Sequence, residues 1–145
     1  MAVNVGQRNV KDTPANTQSQ TLQAIRKFNN HTFKITKNKK YFLEEYDDII
    51  TLPMLKTIAQ IYGDCYVANN IYVSSYDDYM RRYTLQKRSI DNMNRVVAFM
   101  QMAQDQFHLR LNRFYYWFDL YEKAFALLKK WHNADKERYG RKFKK

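Results

Sequence analysis

Residues 75–106 read SYDDYMRRYTLQKRSIDNMNRVVAFMQMAQDQ and carry the clearest helix signal in the chain. Ser75 can cap a helix with its hydroxyl, and Asp78 follows three residues later, close to the spacing of a capping box. Beyond this start, small and apolar residues recur at three- and four-residue steps, as one buried helix face requires. The inner face is predicted to comprise Ser89 or Ile90, Met93, Val97, Met100, and Ala103 or Gln104. The pattern therefore predicts a helix that ends at about Gln106.

Glycine and proline are scarce throughout the chain. There are three glycines and two prolines among 145 residues, where average usage gives roughly 17 for this length. So few turn-forming residues cannot supply a β-sandwich or a barrel, and the glycines of a phosphate-binding loop are missing. A hydrophobic fraction of 45%, with 16% aromatic residues, also excludes a disordered chain. Long helices with short connections are the fold class that remains.

Three further segments have apolar residues at helical spacing, over about residues 16–37, 43–69 and 112–139. Pro53 lies inside the second of them and removes a backbone donor, so we expect a kink or a restart there. Gly140 is expected to end the last helix. The sequence thus predicts an all-α, up-down-up-down four-helix bundle at 16–140. An extended N-terminal arm at 1–15 and a basic C-terminal tail at 141–145 are expected to flank it.

The residues that usually carry chemistry are few and scattered. Cys65 is the single cysteine, which excludes an internal disulfide, and its spacing from Ile58 places it on a buried helix face. His31, His108 and His132 lie on different segments, and no Glu-x-x-His pair of a di-metal bundle exists. We therefore predict no catalytic residues, no metal and no cofactor, and expect a protein that is not an enzyme.

The start of the chain has no apolar signal-peptide core, and the sequence has no apolar run of the length that spans a bilayer. The lone cysteine is consistent with a reducing compartment. We therefore expect a cytoplasmic protein without a membrane partner.

Positive charge is the property that indicates a partner. Lys and Arg number 25 against 14 Asp and Glu, a net charge of +11, which favours polyanions such as nucleic acid. Residues 1–72 carry a net charge of +3 and residues 73–145 a net charge of +8. The last seventeen residues, 129–145, alone hold a net +6. The excess is therefore concentrated in the second half of the chain.

Two basic groups in this half form a candidate nucleic-acid surface. Arg81, Arg88 and Arg95 recur at seven-residue steps and line one stripe opposite the inner face of their helix. Near the C-terminus, Tyr139 and Phe143 can stack on unpaired bases while neighbouring cations hold phosphates. The predicted nucleic-acid-binding residues are Arg81, Arg82, Lys87, Arg88, Arg95, Arg110, Arg113, Lys129, Lys130, Lys136, Arg138, Tyr139, Arg141, Lys142, Phe143, Lys144 and Lys145. The alternative for both groups is an ordinary solvated surface.

An aromatic run at 114–118, FYYWF, covers every direction around a helix. A bundle buries only one face of each helix, so the extra rings indicate a subunit interface in addition to the core. Exposed tyrosines without such a role are the alternative. We expect the protein to self-associate.

Four segments of the chain carry a family resemblance: VNVGQRNV-x-DTP at 3–14, NKKYF at 38–42, ANNIYV at 68–73 and W-x-x-ADKERY at 131–139. In them the chain resembles the Avd-like four-helix-bundle family, the accessory variability determinant of diversity-generating retroelements. The resemblance extends over nearly the whole chain and implies a non-enzymatic partner of a reverse transcriptase. It further implies a ring-like homopentamer that binds the reverse transcriptase and template-repeat RNA, in a complex that makes error-prone cDNA. It brings no catalytic residues with it.

Two functions of different classes follow from these observations. The first is a homo-oligomeric RNA-binding accessory protein whose Lys and Arg side chains neutralise phosphates and release counterions. The alternative is a helical scaffold that binds an acidic partner protein and has no specific RNA role. A membrane-surface protein is less consistent with helices whose aromatic residues face inward.

Overall fold

The structure, a computed structural model, describes the backbone of residues 14–144 and the side chains from residue 20 onward. This part of the chain contains no β-strand and is built on four long α-helices. They are α1 (Pro14–Thr36), α2 (Leu52–Asn69), α3 (Tyr76–Phe107) and α4 (Leu111–Lys142). The predicted all-helical fold class is therefore confirmed.

The start of α1 differs from the sequence prediction. Residues 14 and 15 were assigned to an extended arm, but the helix already begins at Pro14. Proline is well suited to the first helical position, because its missing N–H has no partner there in any helix and its φ angle is already helical. The rest of the predicted arm, residues 1–13, lies outside the described residues, as does Lys145.

The second helix begins later than its apolar pattern predicts. A 3-10 turn at Glu44–Tyr46 and a π-helical turn at Asp47–Thr51 precede α2. Pro53 then occupies the first turn of α2, where a backbone donor is not needed. The predicted restart at Pro53 is therefore confirmed, and the expected helix from residue 43 is replaced by these two short turns.

The start of α3 follows the sequence prediction. The Ser75 hydroxyl accepts a hydrogen bond from the Asp78 backbone N–H at 3.1 Å. The Asp78 carboxylate accepts from the backbone N–H of Ser74 at 3.2 Å and from its hydroxyl at 2.9 Å, and these bonds lower the pKa of Asp78. At the other end of α3, His108 has a φ of 52° and turns the chain toward α4. Histidine is one of the few residue types enriched at such angles.

The end of α4 corrects the prediction for Gly140. No described glycine has a positive φ, so Gly140 does not adopt the left-handed conformation that ends a helix, and α4 continues to Lys142. Phe143 follows directly and stacks on Tyr79 of α3, with ring centroids 6.3 Å apart. This contact places residues 141–143 against the helices, so they do not form a separate tail.

Each long helix packs against two neighbours. α1 contacts α2 and α4, and α3 contacts the same two helices. The Thr21 hydroxyl donates to the Leu127 carbonyl at 3.2 Å, and the Trp117 indole N–H donates to the Thr32 hydroxyl at 2.8 Å. α1 and α4 are therefore antiparallel.

The core lies between the four helices. Its largest fully buried side chains are Trp117, Trp131, Phe28, Phe42, Ile25, Met54, Ile58, Ile61, Met93, Met100, Leu128 and Gln86. On α4 the residues at helical spacing, Trp117, Leu120, Ala124, Leu128 and Trp131, are all buried. On α3, Val96 is buried, whereas Val97 of the predicted inner face is half-buried. Within residues 14–144, none of the helices combines the length and the apolar character needed to cross a membrane.

Candidate nucleic-acid interface

Most of the basic residues predicted from the sequence lie on the surface. The exposed ones are Arg81, Lys87, Arg88, Arg95, Arg110, Arg113, Lys129, Lys130, Lys136, Arg138, Arg141, Lys142 and Lys144. The arginine stripe of α3 is thus exposed as predicted. Part of its charge is neutralised, because the Arg88 guanidinium makes two hydrogen bonds of 2.8 Å to the Asp64 carboxylate. Lys87 likewise pairs with Asp91 at 3.1 Å.

Arg82 is the exception, and its prediction as an exposed phosphate contact is wrong. Only 4% of the residue is exposed. Its Nε donates to Asp135 Oδ2 at 2.6 Å and its Nη2 donates to Asp135 Oδ1 at 3.0 Å, across the interface between α3 and α4. The Trp131 ring lies 5.4 Å from the guanidinium carbon. The guanidinium is therefore occupied by a carboxylate and an aromatic ring inside the fold.

A buried polar network extends from this pair. The Gln86 side-chain amide donates to Asp135 Oδ2 at 2.8 Å, and its carbonyl oxygen lies 2.8 Å from His132 Nδ1. Because an amide oxygen can only accept, His132 Nδ1 carries the donating proton. Burial of the imidazole is the largest influence on His132 and lowers its pKa, so the ring is neutral at neutral pH.

An open groove of about 660 Å³ lies above this network, where the segment joining α2 to α3 meets the last turns of α4. Its lining residues are Asn69, Asn70, Ile71, Tyr72, Val73, Arg82, Arg138, Tyr139 and Lys142, with no acidic residue among them. Exposed Arg138 and Lys142 stand on one side, and Tyr72, which is 86% exposed, stands on the other. The groove therefore combines cations, amides and an accessible ring.

In the segment that joins α2 to α3, buried and exposed side chains alternate. Ile71 and Val73 are buried and pack with Tyr79, whereas Tyr72 between them points to solvent. Arg82 Nη1 also lies 3.4 Å from the Ile71 carbonyl oxygen, to which it donates. Tyr72 is thus held outward by its two buried neighbours and by the network below.

Phe143 and Tyr139, which were predicted to stack on unpaired bases, pack against α3 in the structure. Both are half-buried and belong to an aromatic cluster with Tyr79, whose ring centroid lies 5.6 Å from that of Tyr139. Cations flank the cluster: the Arg138 guanidinium carbon lies 5.7 Å from the Tyr139 centroid, and Lys142 Nζ lies 5.5 Å from the Phe143 centroid. The Phe143 ring stabilises the end of α4 and is not free to stack on a base.

Sequence reasoning missed five of the residues that line the groove, at 69–73, of which Asn69, Asn70 and Tyr72 carry the polar groups. In the sequence, Asn69 marks the end of the second helical segment and both asparagines belong to the family resemblance at 68–73, and neither observation indicates a ligand contact. A usable signal was the apolar alternation of Ile71 and Val73 around Tyr72, because a short extended segment with two buried side chains must turn the middle one outward.

No family model, curated protein or solved structure matches the chain. The Avd-like resemblance therefore remains a prediction, and the groove is interpreted from its own geometry.

The remaining reactive groups are isolated from this site. Burial raises the pKa of the Cys65 thiol to about 12, and its Sγ lies 3.4 Å from the Ser89 hydroxyl in the core. A buried thiol with a raised pKa is a poor nucleophile. Across residues 14–144, no group of three or more His, Cys, Asp or Glu side chains is arranged to hold a metal ion.

Proposed function

We propose that this protein is a non-enzymatic accessory protein of a diversity-generating retroelement reverse transcriptase. In this proposal it belongs to the Avd-like family and binds the reverse transcriptase and the template RNA to support mutagenic cDNA synthesis. The family and the reverse-transcriptase partner rest on the sequence resemblance, and the observation that carries RNA binding is the groove between the α2–α3 joining segment and the end of α4. Its cations have no acidic residue beside them in the lining, and its exposed ring and amides suit single-stranded RNA.

The mechanism proposed is electrostatic and positional. Arg138 and Lys142 neutralise phosphates and release counterions, which gives affinity that depends little on sequence. Tyr72 provides a face on which an unpaired base can stack, and Asn69 and Asn70 can hydrogen-bond to base or sugar. Lys144 and Arg141 extend the same positive surface beyond the groove.

The assembly proposed is a homopentamer of up-down-up-down bundles in the cytoplasm. Of the aromatic run on α4, Trp117 is buried, whereas Tyr115 is 61% exposed. Leu111, one turn earlier, is also 61% exposed. These apolar surfaces support an interface between subunits. Light scattering tests it, because a particle of 17.6 kDa, the mass of one chain, would contradict self-association.

Binding to a structured RNA at several salt concentrations tests the groove. The variant reverses Arg138, Lys142 and Lys144 to Glu, and the control reverses Lys27, Lys37 and Lys56, which are exposed on α1, just after it and on α2. Both variants change the net charge equally. We expect the groove variant to flatten the slope of log K against log salt by about 2–3, since each phosphate contact contributes about 0.9. Equal losses in the two variants would contradict a localised RNA site.

A scaffold that binds an acidic partner protein is the second candidate. It is favoured by exposed apolar residues beside the groove, namely Tyr66, Val67 and Tyr76. The same groove variant separates the two functions when capture of the reverse transcriptase is measured in parallel. Loss of protein capture with RNA binding intact would favour the scaffold.

A further inference from the structure

A second cavity, of about 450 Å³, lies toward the other end of α4. It is open to solvent on one side and bounded by the last turns of α1, the segment that follows α1, and the first turns of α4. Arg113 in this cavity and Arg138 in the groove are separated by α4, about 37 Å along the axis at the usual 1.5 Å rise per residue. The cavity is therefore a separate site, and its volume falls within the usual range for small-molecule pockets.

Positive charge converges on this cavity. Lys34, Arg110 and Arg113 line it, and no Asp or Glu is among its lining residues. None of the three forms an ion pair with a carboxylate in the described part of the chain. Arg110 is also the residue before α4 and gives that helix no side-chain cap, so the positive end of the helix dipole adds to the field. The cavity is thus suited to an anion, and paired arginines are suited to phosphate.

Aromatic rings form another part of the wall. Tyr41 and Tyr116 line the cavity with His31, whose ring meets Tyr116 edge-on with centroids 5.0 Å apart. Burial, followed by the charge of Lys34, lowers the pKa of His31. The imidazole is therefore neutral at neutral pH and contributes a flat ring to the wall. An inorganic anion would leave these rings without a partner, whereas a planar heterocycle would stack on them.

We propose that this cavity binds one phosphorylated nucleoside, with its phosphate held by Lys34, Arg110 and Arg113 and its base against Tyr116 and Tyr41. The nucleotide is either free or an unpaired unit of a nucleic-acid strand, since both present the same phosphate and ring. This inference does not rest on the RNA groove, because the two sites share no residue.

Calorimetric titration of the full chain tests the proposal with four probes: adenosine 5′-monophosphate, adenosine, inorganic phosphate and a short single-stranded oligonucleotide. We expect the monophosphate to bind at least about tenfold more tightly than adenosine or phosphate, because only it uses both walls. Arg113→Gln should weaken monophosphate binding by about tenfold or more. Arg26→Gln on α1 is the matched control, since Arg26 is exposed and lies outside the cavity.

Tyr116→Ala checks the role of the ring. Tyr116 is 52% exposed, so the variant should fold, and it should bring the affinity for monophosphate down to that for phosphate. Phe33→Ala, at a 37% exposed ring on α1 that does not line the cavity, should leave both affinities unchanged. Monophosphate binding no tighter than that of phosphate, or unaffected by Arg113→Gln, overturns the proposal.

The oligonucleotide distinguishes the two sources of the nucleotide. It is titrated into a background carrying the Arg138, Lys142 and Lys144 reversals, so that the groove does not contribute. Binding that is stronger than that of the monophosphate and sensitive to Arg113→Gln identifies a strand, whereas no gain over the monophosphate identifies a free nucleotide. Failure of RNA binding at the groove with an intact nucleotide response would leave this inference standing and contradict only the proposed function.

Discussion

Replacing Asp135 by Asn should destabilise the fold strongly. The carboxylate accepts three hydrogen bonds, two from Arg82 at 2.6 and 3.0 Å and one from Gln86 at 2.8 Å. The Asp135 residue is only 1% exposed. An asparagine has one carbonyl oxygen and places an NH₂ group against donors, so it leaves the Arg82 charge buried without a counterion.

The magnitude follows from the burial of both partners, whose side chains are 5% and 2% exposed. Removing one partner of a buried ion pair costs about 3–5 kcal/mol of unfolding free energy. For a domain of this size about 3 °C of melting temperature corresponds to each kcal/mol, so the melting temperature should fall by about 9–15 °C. The loss is far larger than any surface pair can give.

Urea unfolding followed by circular dichroism, at one fixed protein concentration, measures this loss. Asp91→Asn is the control, because the Lys87–Asp91 pair has side chains that are 53% and 58% exposed and should shift the midpoint little. A second variant, Arg82→Met with Asp135→Leu, removes both charges and should be more stable than Asp135→Asn. A midpoint for Asp135→Asn within error of that for Asp91→Asn would refute the reasoning.

Three further outcomes are expected. Cys65 is fully buried and its pKa is raised to about 12, so at neutral pH it should react with a thiol reagent only as fast as the fold opens. A colorimetric thiol assay with and without denaturant measures this rate. The pKa of His132 is lowered in the fold, so the unfolded chain binds more protons. The contribution of His132 to the free energy of unfolding should therefore be fully present above pH about 6.5 and be lost as the pH drops toward the folded pKa. Urea midpoints measured against pH should fall less steeply for His132→Asn than for the unmodified protein. Tyr72→Ala, at an 86% exposed side chain, should leave the urea midpoint unchanged and weaken RNA binding by about tenfold, as measured by fluorescence anisotropy.

Local signals in the sequence were sufficient for much of the helical architecture. The cap of α3 depends on Ser75 and Asp78, which are three residues apart, so the sequence spacing alone predicts their contact. The buried face of α4 follows in the same way, because Trp117, Leu120 and Ala124 repeat with the helical period. At these two places residues within about one turn decide the conformation, and the pattern and the structure agree.

Contacts between distant residues account for two of the errors, whereas the start of α1 at Pro14 is a local effect of proline at the first helical position. Arg82 has the same local surroundings in the sequence as the exposed Arg81, and only Asp135, on another helix, makes it a buried residue. Gly140 is a reasonable stop by local rules, but Phe143 packs against Tyr79 and extends the helix past it. The spacing of residues along the sequence does not predict these contacts, because they form only when α3 packs against α4.

The groove between the α2–α3 joining segment and α4 depends on the buried network in a way that matters for the proposed function. Arg82 joins Asp135 on α4 to the Ile71 carbonyl in the segment that carries Tyr72. The buried Arg82–Asp135 pair therefore holds the cations of α4 and the exposed Tyr72 ring in one arrangement. A surface ordered in advance loses less conformational entropy when a ligand binds. Arg82 lines the groove with only 4% of its surface exposed and its guanidinium bound to Asp135. In the proposed function it is therefore a positioning residue, and weakening it should lower RNA affinity.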